Sequence, residues 1–438
     1  MAKIMCIQEL YQIKENIKNN DKTILVGFDV SKAFTDMCII DSAHNILLKN
    51  YRFSNSREGF NTMLDKINAT KDKYAKQAIF CGFEPTGKYH KPLALFLLNN
   101  DLPVCQISTI IARDNRRSLD GSWRKNDEKD ALNITDLMFQ GKIMYYPVPA
   151  PFYEGVKDLI SYRYKISKQL YGMKAMIRNS FFCMYFPEIE SIYPNILHSE
   201  ILLLLKQFPT SYQIRKISQK RFINTFNKNR KLTIISKQRL QQVWLKAQES
   251  IGYEPNVSTY VLAKNMLDQV EFLKNKLSSI EYEIDQLCKH NKDYELLQTI
   301  PGFGPIHSAT FMACVRNINN YNNIRQIEKR AGLDLEYSQS GMYKGKLSIS
   351  KKGNALLRYA LCSAAKVALK NKVFKDLFLK KLEIKGVCRE NKFKLNIKCA
   401  EKLLRIACAV IKNNTPFSSE YILQSPVEQP ELNNVRAA

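Results

Sequence analysis

The chain has 438 residues, 45% apolar and 25% charged, enough for two or three domains with cores of their own. Its 67 Lys and Arg against 41 Asp and Glu leave a formal net charge of +26, far more than solubility requires, which points to a polyanionic partner with nucleic acid first. A membrane span needs roughly 18 to 20 apolar residues and none is in sight; eleven singly spaced cysteines without a CxxC pair and five unclustered histidines argue against a disulfide framework and a zinc site.

The first residues, 1–21, are broken by charge before any apolar signal region develops, so a cytoplasmic protein with an N-terminal extension is expected. From Thr23 to Phe53, TILVGFDV, TDMCIID and NILLKNYRF alternate as three successive strands, separated by turn residues at Ser31-Lys32 and Ala43-His44-Asn45. Helical spacing over Glu58–Ile67, a strand over Ala78–Phe83, a helix over Pro92–Leu98 and a strand over Pro103–Ile107 complete an α/β layered domain, 22–148.

Pro147, Pro149 and Pro151 alternate in YYPVPAP and mark a linker, beyond which the pattern turns to long helices. Val156, Leu159, Ile166, Leu170, Met173 and Ile177 fall in steps of three and four, and Ala263, Met266, Val270, Leu273, Leu277, Ile280, Ile284 and Leu287 hold a and d positions. These predict a coiled-coil arm within 149–292, paired internally or between subunits. Between them, 215–239 carries Arg215, Lys216, Lys220, Arg221, Lys228, Arg230 and Lys231 with Phe222 and Phe226 interleaved and no acid, a composition that fits phosphate contact better than a merely solvated face. A mostly helical domain, 293–415, follows, then a polar tail, 416–438. The fold class is thus α/β plus all-α.

Two stretches carry chemistry. Asp29 closes one apolar strand and Glu84 another, and strand ends of an α/β sheet face a common crevice. In RKNDEKDALNITDL, Asp127 and Asp130 stand three apart on one helical face. Four carboxylates so gathered call for a hard cation, Mg²⁺ or Mn²⁺, and a pair of such ions would clamp a phosphodiester for in-line displacement. Glu128 and Asp136 read instead as surface or capping acids.

In SQSGMYKGKLSISKKGNALLR, Gly341, Gly345 and Gly353 allow close backbone approach, while Lys344, Lys346, Lys351, Lys352 and Arg358 supply positive field, and Asn354 or the helix start after it offers donors to a phosphate oxygen. By composition this is a phosphate-binding loop, and a serine nucleophile within it has no visible base. TIPGFGP, with Gly302 and Gly304, reads either as a helix-hairpin-helix turn exposing backbone amides or as a plain helix–helix turn, and His307 as a satisfied helix residue.

The ordered set GFDVSK, FEPTGKY, KNDEKDA, TIPGFGP, AGLDLEYSQSG and SISKKGNALLR resembles the DEDD-type transposases of the insertion-sequence 110 family, relatives of pilin-inversion recombinases, over roughly 22–140 and 293–415. The resemblance implies an RNase H-like, RuvC-type nuclease domain, the tetrad Asp29, Glu84, Asp127 and Asp130 as catalytic metal ligands, and Ser340 as a covalent nucleophile; Ser338, Ser348 and Ser350 become loop or phosphate-contacting hydroxyls. Gln339 stands where an acid is common. A transposase that cuts and rejoins double-stranded DNA, guided by a bridge RNA and acting as a dimer or tetramer, is then expected. The alternatives are a metal-dependent structure-selective nuclease or Holliday-junction resolvase without covalent intermediate, and an inactive RNA- or DNA-binding protein.

Overall fold

The computed structural model describes residues 22–85, 87–120, 127–146, 150–229, 233–321, 323–336, 339–340, 343–344, 348–385 and 388–419. The chain divides into two compact units that meet in sequence at Ala150 and Pro151.

The first unit is built on a six-stranded sheet. β1 (Thr23–Val30), β2 (Phe34–Asp41) and β3 (Ile46–Ser54) form an antiparallel meander; β4 (Ala78–Phe83) and β5 (Val104–Gln106) join β1 in parallel, and β6 (Met144–Tyr145) closes the edge antiparallel, giving the order β3-β2-β1-β4-β5-β6. The two-residue period of the strands sorts their side chains onto two faces. Ile24, Val26, Phe28 and Val30 pack under α1 (Arg57–Lys73) and α2 (His90–Asn99), in a core that includes Phe60, Met63, Leu93 and Leu97. Leu25, Cys38, Ile40 and Phe80 face α3 (Thr109–Asp120) and α4 (Asp127–Phe139), through Ala112, Ala131, Ile134 and Met138. Helix α3 and strand β6 had no counterpart among the expected elements, because neither has enough apolar period to show by itself.

The second unit is helical. Pro151 opens α5 (Pro151–Met176), where its missing N–H is no loss at a helix start, and the YYPVPAP stretch ends where that helix begins. A π-helical turn, Ile177–Phe182, then shifts the phase so that Phe181 and Phe182 are both buried. The chain continues through α6 (Ser199–Gln207), α7 (Gln219–Asn229) and α8 (Ile234–Gln248) into α9 (Val257–Cys288). Asn256 caps α9 in a reciprocal box with Thr259. Helices α5 and α9 lie along one another and bury Val156, Ile160, Ile166 and Met173 together with Ala263, Met266, Val270, Leu273, Ile280 and Ile284. The heptad reading slips at its end, where Leu287 is 52% exposed and Cys288 is buried in its place.

After α10 (Lys292–Gln298), α11 (Pro305–Val315) and α12 (Ile324–Ala331) come four two-residue strands: β7 (Leu335–Glu336) pairs with β10 (Ser348–Ile349), and β8 (Gln339–Ser340) with β9 (Tyr343–Lys344). Helices α13 (Ala355–Ala368), α14 (Lys372–Lys385) and α15 (Arg389–Asn413) follow. One apolar core runs from Val156 on α5 to Val410 on α15 without a break. Among the described residues no helix is long and apolar enough to cross a membrane.

Candidate active site and nucleic-acid-binding elements

Asp29 occupies the seventh position of β1 and, by alternation, lies on the same face as Leu25 and Gly27, the face that α4 covers. Glu84 follows the last residue of β4 with the same parity as Phe80 and Gly82. Because Phe28 pairs with Phe83 in parallel register, Asp29 and Glu84 are the next neighbours along the two strands. Asp130 comes from α4, which sits directly on the sheet: a Cβ on Gly27 would stand 2.9 Å from the Ala131 carbonyl oxygen, and one on Gly82 2.5 Å from the Met138 sulfur. Two glycines on the strands that carry the acids therefore let a third acid come close. Asp127 opens α4 three positions earlier, and its side chain lies outside the described residues.

A cation already sits among these carboxylates. The Arg116 Nε on α3 is 2.6 Å from Asp130 Oδ1, a charge contact off the N–H direction, and its second nitrogen is 4.0 Å from Glu84 Oε2. Asp130 is 3% exposed, and a carboxylate so buried requires a partner. Sequence reading also passed over Asp36. It is the cross-strand partner of Asp29 on β2, is 5% exposed, and is held by Arg52 of β3 through Nε at 3.1 Å and a terminal nitrogen at 2.9 Å. Strict alternation in TDMCIID was the available signal, because it sets Asp36 on the face of Cys38 and Ile40. Among the described residues no three acidic, histidine or cysteine side chains lie close enough to hold an ion. The donor set itself suits a hard divalent cation: carboxylate oxygens from two strands and a helix, at a place that already demands positive charge.

Asp136, read as a surface acid, is buried on α4. It accepts from Asn115 Nδ2 at 2.7 Å and Gln140 Nε2 at 2.7 Å, and meets His44 Nε2 at 3.1 Å. Asn115 also donates to Asn133 Oδ1 at 2.9 Å, and Asn133 donates to the Ala112 carbonyl at 2.8 Å, which clamps α3 to α4.

In the second unit Ser340 ends β8 opposite Tyr343, with only Gly341 and Met342 between them in sequence. The side chains of Ser340 and Lys344, and Lys346 altogether, lie outside the described residues. The flanks are described, and they are structural. Arg358 donates to the carbonyls of Ala331 and Lys351 at 3.1 and 3.2 Å. A Cβ on Gly353 would lie 2.6 Å from the Arg330 carbonyl, so this glycine is needed for packing on the end of α12 rather than for ligand approach. Asn354 spends its carboxamide oxygen on the amides of Leu356 and Leu357, capping α13, and Ser350 donates to Asp334 Oδ1 at 2.5 Å. Lys351 and Lys352 are exposed.

The turn at TIPGFGP divides likewise. Gly302, at φ +94°, presses on α13, where a Cβ would meet the Ala364 carbonyl at 2.3 Å. Gly304, the N-cap of α11, has open space around it and borders a cleft of about 260 Å³ lined also by Arg163, Tyr164, His307 and Tyr359. His307 meets the Gly302 carbonyl through Nδ1 at 3.1 Å, and burial holds its pKa down.

In the basic stretch the interleaved aromatics belong to the core rather than to a contact surface. Phe222 and Phe226 are fully buried and pack with Phe208, at centroid distances of 5.4 and 6.3 Å, because α7 turns its apolar stripe inward. Arg215 donates to the carbonyls of Ala247 and Ser250 and so ties off α8, while the Lys216 ammonium lies 4.3 Å from the Tyr212 ring centroid. Lys220 and Arg221 point outward; the Lys228 side chain, Arg230 and Lys231 lie outside the described residues.

Residues 26–186 match a DEDD-type family model for IS110 elements, described as a transposase, and residues 294–379 match a model described as transposase, IS116/IS110/IS902 family. The chain belongs to the IS110 transposase family. The segment matched first holds Asp29, Glu84, Asp127 and Asp130, and the second holds Ser340. Similar proteins include a transposase for insertion sequence element IS1111A of Coxiella burnetii, 32% identical over 33% of this chain and 40% of the relative. A pilin gene-inverting protein of Moraxella lacunata is 29% identical over 43% of this chain and 58% of its own. The chain thus spans about half the length of these relatives.

Proposed function

We propose that the protein is a DNA recombinase of transposase type that cuts and rejoins double-stranded DNA by phosphoryl transfer. What supports this reading is the register that makes Asp29 and Glu84 next neighbours at one end of β1 and β4, with Arg116 reaching both Glu84 and the buried Asp130 of α4, in a chain with both IS110-type segments. The strand order, an antiparallel meander extended by parallel β4 and β5, supports an RNase H-like, RuvC-type domain over 22–148.

Asp29, Glu84, Asp127 and Asp130 would hold Mg²⁺ or Mn²⁺, which when bound supplies Lewis-acid polarisation and charge neutralisation at a phosphodiester. Ser340 supplies the nucleophile: its Oγ–P bond forms as a P–O bond to the deoxyribose breaks, and the serine proton ends on the departing sugar oxygen. The products are a phosphoserine link and a free hydroxyl, and the reverse step on another strand rejoins DNA. Exposed Lys220, Arg221, Lys351 and Lys352 contribute phosphate contacts that position nucleic acid without reading its sequence. The family likeness favours a guide RNA pairing with the target and a dimeric or tetrameric assembly.

Ser340→Ala tests this reading. The variant should form no protein–DNA adduct on denaturing gels while binding nucleic acid as wild type does. Full cleavage by the variant removes the serine, and wild-type cleavage that leaves free ends without an adduct indicates a hydrolytic nuclease instead. Sequencing of co-purified RNA should return one dominant element-encoded species; a random cellular mixture rules out the guide.

A further inference from the structure

We propose that Arg116 is the internal counter-ion of the acidic site, a latch that neutralises Asp130 and Glu84 in the metal-free protein and must be displaced before a divalent cation can be held there. The inference rests on the reading of these acids as metal ligands, and it adds a competitor within the chain.

Arg116 Nε stands 2.6 Å from Asp130 Oδ1 and a terminal nitrogen 4.0 Å from Glu84 Oε2, so one guanidinium spans carboxylates from α4 and from the end of β4. Its position is imposed. Asn115, the preceding residue, is buried and bonded to Asn133 and Asp136 of α4, which fixes α3 against α4 and brings the next side chain to the acids. A guanidinium and a divalent ion that approach the same carboxylate repel one another, more strongly in a partly desolvated place, so each weakens the binding of the other. The competition is local to the two carboxylates that the guanidinium reaches, Asp130 of α4 and Glu84 after β4.

The Arg116 side chain is 27% exposed, so it has a route outward. Its contact with Asp130 is off the N–H axis, unlike the two-nitrogen grip of Arg52 on Asp36. The two arginines are therefore held differently: Arg52, although its side chain is 50% exposed, grips Asp36 through two nitrogens, whereas Arg116 has no such two-nitrogen grip on Asp130. An arginine held on these carboxylates would limit ion uptake until it is drawn away.

The test is Mn²⁺ binding to the full chain, followed by electron paramagnetic resonance of free Mn²⁺ in the absence of nucleic acid, for wild type, Arg116→Gln, Arg116→Met and Arg116→Lys, with Asp130→Asn as the site control. Far-UV circular dichroism confirms folding, and the second neutral variant covers failure of the first. The expectation is at least tenfold tighter Mn²⁺ binding in the Gln and Met variants, with Lys near wild type and Asp130→Asn weaker than all. Equal or weaker binding in both neutral variants overturns the latch while leaving the metal site in place. No saturable binding by any form, wild type included, overturns the metal reading itself.

Discussion

Gly27→Ala probes whether direct seating of α4 on β1 holds the acids together. The new Cβ would lie 2.7 Å from Thr135 Cγ2, 2.9 Å from the Ala131 carbonyl oxygen and 2.9 Å from the Thr135 amide nitrogen. A threonine methyl can turn aside, but two of these three atoms belong to the α4 backbone, so the helix must retreat by roughly half an ångström to regain ordinary contact distance. Such overpacking costs about 1–3 kcal/mol. The upper half of that range, about 2–3 kcal/mol, is expected here because the retreat also pulls on the Asn115 bonds to Asn133 and Asp136. Urea unfolding followed by far-UV circular dichroism measures the loss, and Mn²⁺ affinity should fall with it as α4 carries Asp130 away from the strands that bear Asp29 and Glu84. Gly155→Ala on α5, where a Cβ meets nothing within 4 Å, is the control and should be neutral or slightly stabilising. A Gly27→Ala protein as stable as wild type, with unchanged ion binding, would refute the seating of the helix as the organising contact.

Three further outcomes are expected. Phe222→Ala should destabilise the second unit by about 3–5 kcal/mol in urea unfolding, whereas Lys220→Ala with Arg221→Ala should leave the midpoint unchanged and lower nucleic-acid affinity and its salt dependence; a stable Phe222→Ala protein with weakened binding would restore a surface role for the ring. His307 ordinarily titrates at 6.5, and burial, opposed by its bond to Gly302 and reinforced by Arg163, lowers that value in the folded state. The unfolded chain then binds the extra proton first, so stability is lost as pH falls from 6.5 toward the lower folded value, and His307→Gln should remove that slope in pH-dependent unfolding. Burial pushes the Cys38 thiol up to about 11 and Cys399 and Cys408 up to about 12, and Cys183 and Cys388 are exposed, so native-state alkylation near pH 8 should label the last two among the described thiols; prompt labelling of Cys399 would contradict the packing of α15.

Much of this was legible along the chain. Strands of period two and helices of period three to four are local patterns, so the meander, the parallel strands after it and the two long helices α5 and α9 could be read directly. Asp29 and Glu84 stood out because a carboxylate at the end of an apolar strand is costly without a purpose. The four short strands around Ser340 were invisible, since two-residue strands carry no periodic signal and lysines, glycines and serines dominate the segment.

Sequence by itself determined the types of the longer, periodic elements, the strand-end acids, the excess positive charge and, through ordered motifs, the family. Only the tertiary structure decided what the charges touch. Arg116 was one cation among many until α3 docked on α4, and Asp36 was a strand residue until the sheet set it across from Asp29 and beside Arg52. Phe222 and Phe226 were aromatics interleaved in a basic stretch until the helices closed over them, Arg215 and Arg358 proved to be struts for backbone carbonyls, and Gly353 a packing position against α12. The reason is one of range. Periodicity is set by bonds between neighbours in the chain, while the partner of a buried charge or ring is set by contacts between elements that no local pattern encodes.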